Sequence, residues 1–129
     1  MKRKQPYSLQ VIIASGPQDK GRAALGFAFA LSAAASGVKV VIILVLEGVT
    51  WSERNIPAAK QSVNGFEPIE NYIEMLENNG AVIQLCSSCA ESKCTNGKSE
   101  QKTNEAVSYV GLTEVAIRAA SDAVQTLIF

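Results

Sequence analysis

Two kinds of apolar run alternate along this chain. Residues 8–14, SLQVIIA, form a short apolar run that ends in the turn formers SGPQDKG and reads as a first strand. Arg22 to Ser36, RAALGFAFALSAAAS, is rich in Ala and Leu and closes on Gly37, which predicts a helix. That helix is apolar on nearly every face, so it must be buried on both sides or lie under a partner subunit. Val38 to Leu46, VKVVIILVL, is a continuous β-branched run, the pattern of a strand covered on both faces of a parallel sheet. A long connection, residues 47–66, follows; connections of that length are usually functional or mobile. Apolar residues then return at helical spacing in Pro68 to Asn79. Ile69, Tyr72, Ile73 and Leu76 make one stripe, Glu70, Glu74 and Glu77 lie elsewhere, and Gly80 closes the helix. Ala81 to Leu85 is a third strand, which delivers Cys86 at its carboxyl end. Residues 86–105 are polar without a clear period and open as a short helix. Ala106 to Val110 reads as a fourth strand, Leu112 to Ala120 as a helix and Ala123 to Phe129 as a last strand.

This alternation predicts an α/β fold, with an open parallel sheet and helices on both faces. The 129 residues suffice for one domain, 1–129, with residues 1–7 as a flexible N-terminal tail. A hydrophobic content of 47% against 19% charged residues is globular, and a chain of this size builds a core without staples. Basic and acidic residues number 12 each, so no net field draws nucleic acid. Lys2-Arg3-Lys4 is a solubilising end, not an arm for RNA. A balanced charge permits self-association. The apolar stretch from Ala23 to Leu46 is broken by Gly37 and Lys39 and divides into a helix and a strand, so no membrane span is expected. Leu9 to Ala14 is too short for a secretory h-region and runs into Gly16-Pro17. An odd number of cysteines without such a signal points to the cytoplasm, where thiols stay reduced.

The chain has no histidine, which excludes histidine acid–base catalysis, Cys–His dyads and His-containing zinc sites. All three cysteines lie in one stretch, VIQLCSSCAESKC, residues 82–94. In open α/β sheets, binding sites lie beyond the carboxyl ends of the strands, and Cys86 is delivered there. A helix beginning at Ser87 or Ser88 would turn its N–H groups and dipole toward the Cys86 sulfur and favour the thiolate. Lys93 would lie two turns away on the same side. Cys86 and Cys89 supply half a zinc site, and neither a second such pair nor a histidine completes it within the chain; no metal is expected. Cys86-Ser-Ser-Cys89 has the spacing of a dithiol redox pair, although it comes late in the chain for a thioredoxin-like fold. Incidental thiols are the bland alternative, set against the polar neighbours of this stretch. Beyond the first strand, Ser15-Gly16 and Asp19 to Arg22 could cradle an anion or form an ordinary turn. Trp51, at the same edge as Cys86, could line the pocket or a subunit contact, or pack under its loop, and Glu47 could transfer protons or be a solvated turn carboxylate.

Taken together, the stretches VIIASGPQDKGRAALGFAFALSAAASGVKVVIILVLEGV, VIQLCSSCAESKC and VGLTEVAIRAASDAVQTLIF resemble the DsrE/DsrF/YchN-like sulfur-relay family. The resemblance runs from about residue 8 to residue 129 and rests on the order and spacing of these stretches. It implies a flavodoxin-like three-layer sandwich around a five-stranded, mainly parallel sheet, assembled as trimers or hexamers. It also implies a sulfur carrier or sulfurtransferase with no bound cofactor, which takes sulfane sulfur on Cys86 from a donor protein and passes it to a partner thiol. Cys89 matches a second family cysteine, and Ser15, Gly16, Ser87, Ser88 and Lys93 are the accompanying candidates for holding the sulfur-bearing group. Where the family continues with an Arg-Gly pair, this chain has Lys93-Cys94, which removes a turn glycine and adds a third thiol that could resolve or accept sulfur. The competing expectation is a non-catalytic oligomeric binding or redox-regulatory subunit of the same fold.

Overall fold

The computed structural model describes residues 5–53, 55–63, 65–93 (of 92 and 93 the backbone alone) and 107–129. Among the described residues there are five strands: β1 (Leu9–Ile13), β2 (Val40–Leu44), β3 (Val82–Cys86), β4 (Val107–Val110) and β5 (Gln125–Ile128). Four α-helices lie between them: α1 (Lys20–Ala35), α2 (Ile69–Asn78), α3 (Ser87–Lys93) and α4 (Leu112–Ala119). The strands form one sheet in the order β4-β3-β2-β1-β5, and every ladder in it is parallel. Each element expected from the apolar pattern is present, with ends moved by one or two residues. Helix α1 starts earlier because the Asp19 carboxylate caps it, accepting from the Arg22 backbone N–H at 3.4 Å. Strand β2 stops at Leu44 because Leu46 takes a left-handed φ of 51° and opens a 3-10 helix, Leu46–Ser52.

The two faces of the sheet are covered unequally. On the first, Val11, Ile13, Ile42, Leu44, Ile83 and Leu85 pack under Ala23, Phe27 and Ala30 of α1 and Ile69, Tyr72 and Leu76 of α2. Small residues let α1 approach closely: a Cβ on Gly26 would stand 3.0 Å from the Phe129 ring. The second face carries Val41, Ile43 and Val110 with Val115 of α4, flanked by Tyr7, Ile12, Val45 and Val82. Here Arg118 of α4 is buried. Its guanidinium donates to Gln10 Oε1 at 3.2 Å and Gln84 Oε1 at 2.9 Å, and lies 5.1 Å from the Tyr7 ring centroid. Gln10 in turn donates to the Val115 carbonyl and to Thr126 Oγ1, both at 3.2 Å. Of the tail expected over residues 1–7, residues 1–4 lie outside the described residues, whereas Tyr7 is half-buried in this second cluster.

The strand order decides where a crevice opens. Going from β1 to β3, the chain steps outward along the sheet with α1 and α2 on the first face. Helix α3 leaves β3 on that same face, where Ala90 joins the core. Helix α4 leaves β4 on the opposite face. The connections therefore part between β3 and β4, the switch point at which α/β sheets bind ligands. In the doubly wound order 2-1-3-4-5 the parting falls beside β1. Here it has moved to β3, whose last residue is Cys86.

Candidate functional site

Cys86 ends β3 and pairs in register with Val110 of β4 across the switch point. The alternation along β3 assigns Cys86 to the face of Val82 and Gln84, the α4 side of the sheet. Helix α3 begins at once with Ser87, whose hydroxyl donates to the Val110 carbonyl at 3.2 Å and ties the turn to β4. Ser88 is exposed, Cys89 is half-buried against the first-face core, and Cys86 is only 1% exposed. Cys86 and Cys89 are both thiols. The structure thus brings Cys86, Ser87, Ser88 and Cys89 into one turn at the crevice. Lys93 ends α3 in backbone only, and Cys94 lies outside the described residues. Among the described residues, no three His, Cys, Asp or Glu side chains are grouped to hold a metal ion.

The loop after β1 takes a different part. The Ser15 carbonyl accepts the Trp51 indole N–H at 2.8 Å, and Trp51 is buried. A Cβ on Gly16 would stand 2.5 Å from the Glu47 carbonyl oxygen, and one on Gly48 would stand 2.1 Å from that of Ile13. These glycines are needed so that two backbones can touch, which is a structural demand. The α1 N-terminus is already filled by the Asp19 carboxylate, which also pairs with the Arg22 side chain at 3.2 Å. Ser15 and Gly16 therefore lock the loops after β1 and β2 together, two strands away from Cys86. Helix α3 packs on the 3-10 helix Leu46–Ser52, so this lock also supports the cysteine turn.

A cavity lies elsewhere. About 530 Å³ opens between α2 and the loop after β2, lined by Trp51, Ile56 and Ile73 and by Glu53, Glu70, Glu74 and Glu77. Neither Cys86 nor Cys89 lines it. Glu70 pairs with Lys60 at 3.2 Å. Burial, and then the neighbouring Glu74 charge, push the Glu77 carboxyl above its ordinary value. Trp51 packs under its loop and lines this cavity, away from the cysteine turn. Arg118 and Gln10 were not legible as a buried pair. The signal was Gln10 itself, a lone amide inside an apolar strand, which demands a buried partner.

A model of the DsrE/DsrF-like family matches residues 8–127. An uncharacterized protein of Methanocaldococcus jannaschii is 36% identical over 86 residues, covering 64% of this chain and 68% of that protein. The crystal structure of the ychN protein from E. coli superposes with a TM-score of 0.71 at 18% identity, covering 94% of this chain and 99% of that one. At that identity the match speaks for the fold, and it agrees with the layered α/β architecture described above. Among the described residues, no helix is long and apolar enough to cross a membrane.

Proposed function

Since this chain belongs to the DsrE/DsrF-like family, we propose that it is a sulfur carrier or sulfurtransferase whose cysteine turn accepts sulfane sulfur and hands it to a partner protein. The observation that carries this reading is the position of Cys86 at the carboxyl end of β3, at the switch point, with a second thiol one helical turn on. Such transfer needs a thiolate, donors that stabilise it, and a path for another thiol. It needs no histidine. The Cys86 thiolate attacks the outer sulfur of a donor persulfide, and the donor leaves as its thiolate. An incoming partner thiolate then takes that same outer sulfur from Cys86. Ser87, Ser88 and Lys93 flank the site, Cys89 and Cys94 are the neighbouring thiols, and the relay runs in the reducing cytoplasm.

Assembly as a trimer or hexamer belongs to the same proposal. Leu25 and Phe29 on α1 are 46% and 43% exposed, and Phe29 stacks on Phe129 at 5.7 Å, so an apolar strip faces outward. One observation favours a second reading, a non-catalytic or redox-regulatory subunit: the Cys86 sulfur is shielded from solvent.

One experiment separates the two readings. The reduced protein is incubated with thiosulfate, tetrathionate or polysulfide, and its intact mass and cysteine peptides are measured. Added sulfur on the cysteine turn that a small thiol releases, and that Cys86→Ala diminishes, supports the carrier. If Cys86→Ala accepts sulfur fully with Cys89 and Cys94 blocked, Cys86 is not the carrier. An unmodified, folded protein leaves the subunit reading. Sedimentation of the same samples reports the assembly.

A further inference from the structure

We propose that the cavity between α2 and the loop after β2 is a binding site for a linear aliphatic polyamine. It is separate from the cysteine turn and does not depend on the sulfur-carrier reading. A volume of about 530 Å³ is of the size that small-molecule sites use. Its charge is one-sided. Glu70, Glu74 and Glu77 of α2 line it, and among the described residues no lysine or arginine does. The chain as a whole carries no formal net charge, so this is a local concentration of one sign. A cleft lined by one sign of charge gathers counter-ions.

The arrangement is unfavourable for the helix that carries it. Spacings of four and three residues put the carboxylates on one face of α2, where like charges repel. Glu77 stands in the last turn, where the helix dipole disfavours an anion and no basic residue offsets it. Its Oε2 is buried without a hydrogen-bond partner, although buried polar atoms of a native fold are paired as a rule. An orphaned carboxylate oxygen on a residue that lines a cavity calls for a donor from outside the chain. Lys60 shows which kind of donor fits, since its ammonium donates to Glu70 Oε1 at 3.2 Å at the other end of the row. Among the described residues, no cation pairs with Glu74 or Glu77.

The spacing selects the class of cation. The helical rise staggers Glu70, Glu74 and Glu77 by about 6 Å and about 4.5 Å along the axis of α2. Ammonium groups joined by short methylene spacers can follow such steps. Trp51, Ile56 and Ile73 supply apolar walls for the spacers. The Trp51 indole is fixed in its place by the N–H it donates to the Ser15 carbonyl. A metal ion is a poorer fit, because among the described residues no three carboxylates are grouped to hold one. The occupant is therefore an organic polycation, held by a row of charges along one wall and by apolar contact along the other.

The test uses the full, reduced chain with spermidine as the probe. Trp51 is the only tryptophan, so its emission reports on the cavity, and calorimetry gives the affinity. Saturable binding with a change in Trp51 emission is expected at low ionic strength, and it should weaken as salt screens the carboxylates. Glu74→Gln combined with Glu77→Gln is expected to weaken binding by about tenfold or more, the scale of a lost charge-assisted hydrogen bond. Asp122→Asn, which removes a charge between α4 and β5, is expected to stay within about twofold of the parent, because screened charges act over short range. Propylamine, with a single ammonium, is expected to bind the parent about tenfold more weakly than spermidine. The proposal is overturned if spermidine gives no saturable heat or emission change, or if the Glu74 and Glu77 double variant binds it as the parent does. It is overturned equally if Asp122→Asn weakens binding as much as that variant, or if propylamine binds as tightly as spermidine. None of these outcomes involves a cysteine, so each leaves the sulfur-carrier reading to its own experiment.

Discussion

The two faces of the sheet solve the same burial problem with different chemistry. Beneath α1 and α2 the interface is aliphatic and aromatic, with Phe27, Ile42, Leu76 and Leu85 at 0% exposure. Beneath α4 the shorter cover is stitched by a buried cation: Arg118 reaches Gln10 on β1 and Gln84 on β3, so one side chain spans the central strands. An aliphatic interface gains from area and tolerates sliding. A buried guanidinium with fixed amide partners gains little net stability, but it sets one position for the helix. The face that needs orienting is the face to which Cys86 belongs. Gln84 is two residues before Cys86 on the same side of β3, so the Arg118 contact also anchors the strand that presents the thiol.

Three substitutions put this contrast to the test. Phe27→Ala removes a fully buried ring from the aliphatic face and is expected to destabilise by about 3–5 kcal/mol in urea unfolding. Arg118→Met keeps the volume but leaves the Gln10 and Gln84 carbonyls without their donor, at a cost of about 1–3 kcal/mol by the same measurement. If Arg118→Met matched or exceeded Phe27→Ala, the polar face would carry the stability as well as the alignment. The smallest effect belongs to Glu77 at the rim of the α2 cavity, where one carboxylate oxygen is buried without a hydrogen-bond partner. Its folded carboxyl holds a proton more tightly than the ordinary value of 4.5. The stabilisation from that proton is present below pH 4.5 and is lost as the pH rises through the higher folded value. Glu77→Gln is therefore expected to stabilise by a few tenths of a kcal/mol at neutral pH. Unfolding at both ends of that range should show the gain fading in acid.

The same contrast explains what the amino-acid pattern made legible. The first face was readable because its signals are local and periodic. The β-branched run VVIIL, the stripe of Ile69, Tyr72 and Leu76, and the closing glycines 37 and 80 each name an element without reference to the rest. The end of β3 was readable for the same reason, and with it the place of Cys86. The second face depends on residues 108 positions apart, Gln10 and Arg118, whose side chains look like surface choices until α4 is folded over β1. Cys86's burial was equally hidden, because a strand end reads as open until its neighbours are in place. The long connection concealed the Trp51–Ser15 bond, since an indole in a loop carries no period. Ser15 and Gly16 read from the sequence as either an anion cradle or an ordinary turn. In three dimensions they are the contact of two backbones.

The pairing of β5 with β1 has a consequence in time as well as in space. Leu9 lies in register with Gln125, and the Phe129 carbonyl accepts the Ala14 N–H at 2.8 Å. During synthesis, the first strand to emerge can acquire β2 early but must keep its other edge unpaired until the ribosome has reached residues 125–129. At about 5–20 residues per second that is a wait of several seconds or more, with an open rank of backbone donors and acceptors. The sheet is thus completed last at its β5 edge, and pairings this remote in sequence fold slowly. A nascent chain of this design profits from anything that covers the free edge of β1 in the interval, be it a chaperone or the Ala-rich helix that follows it.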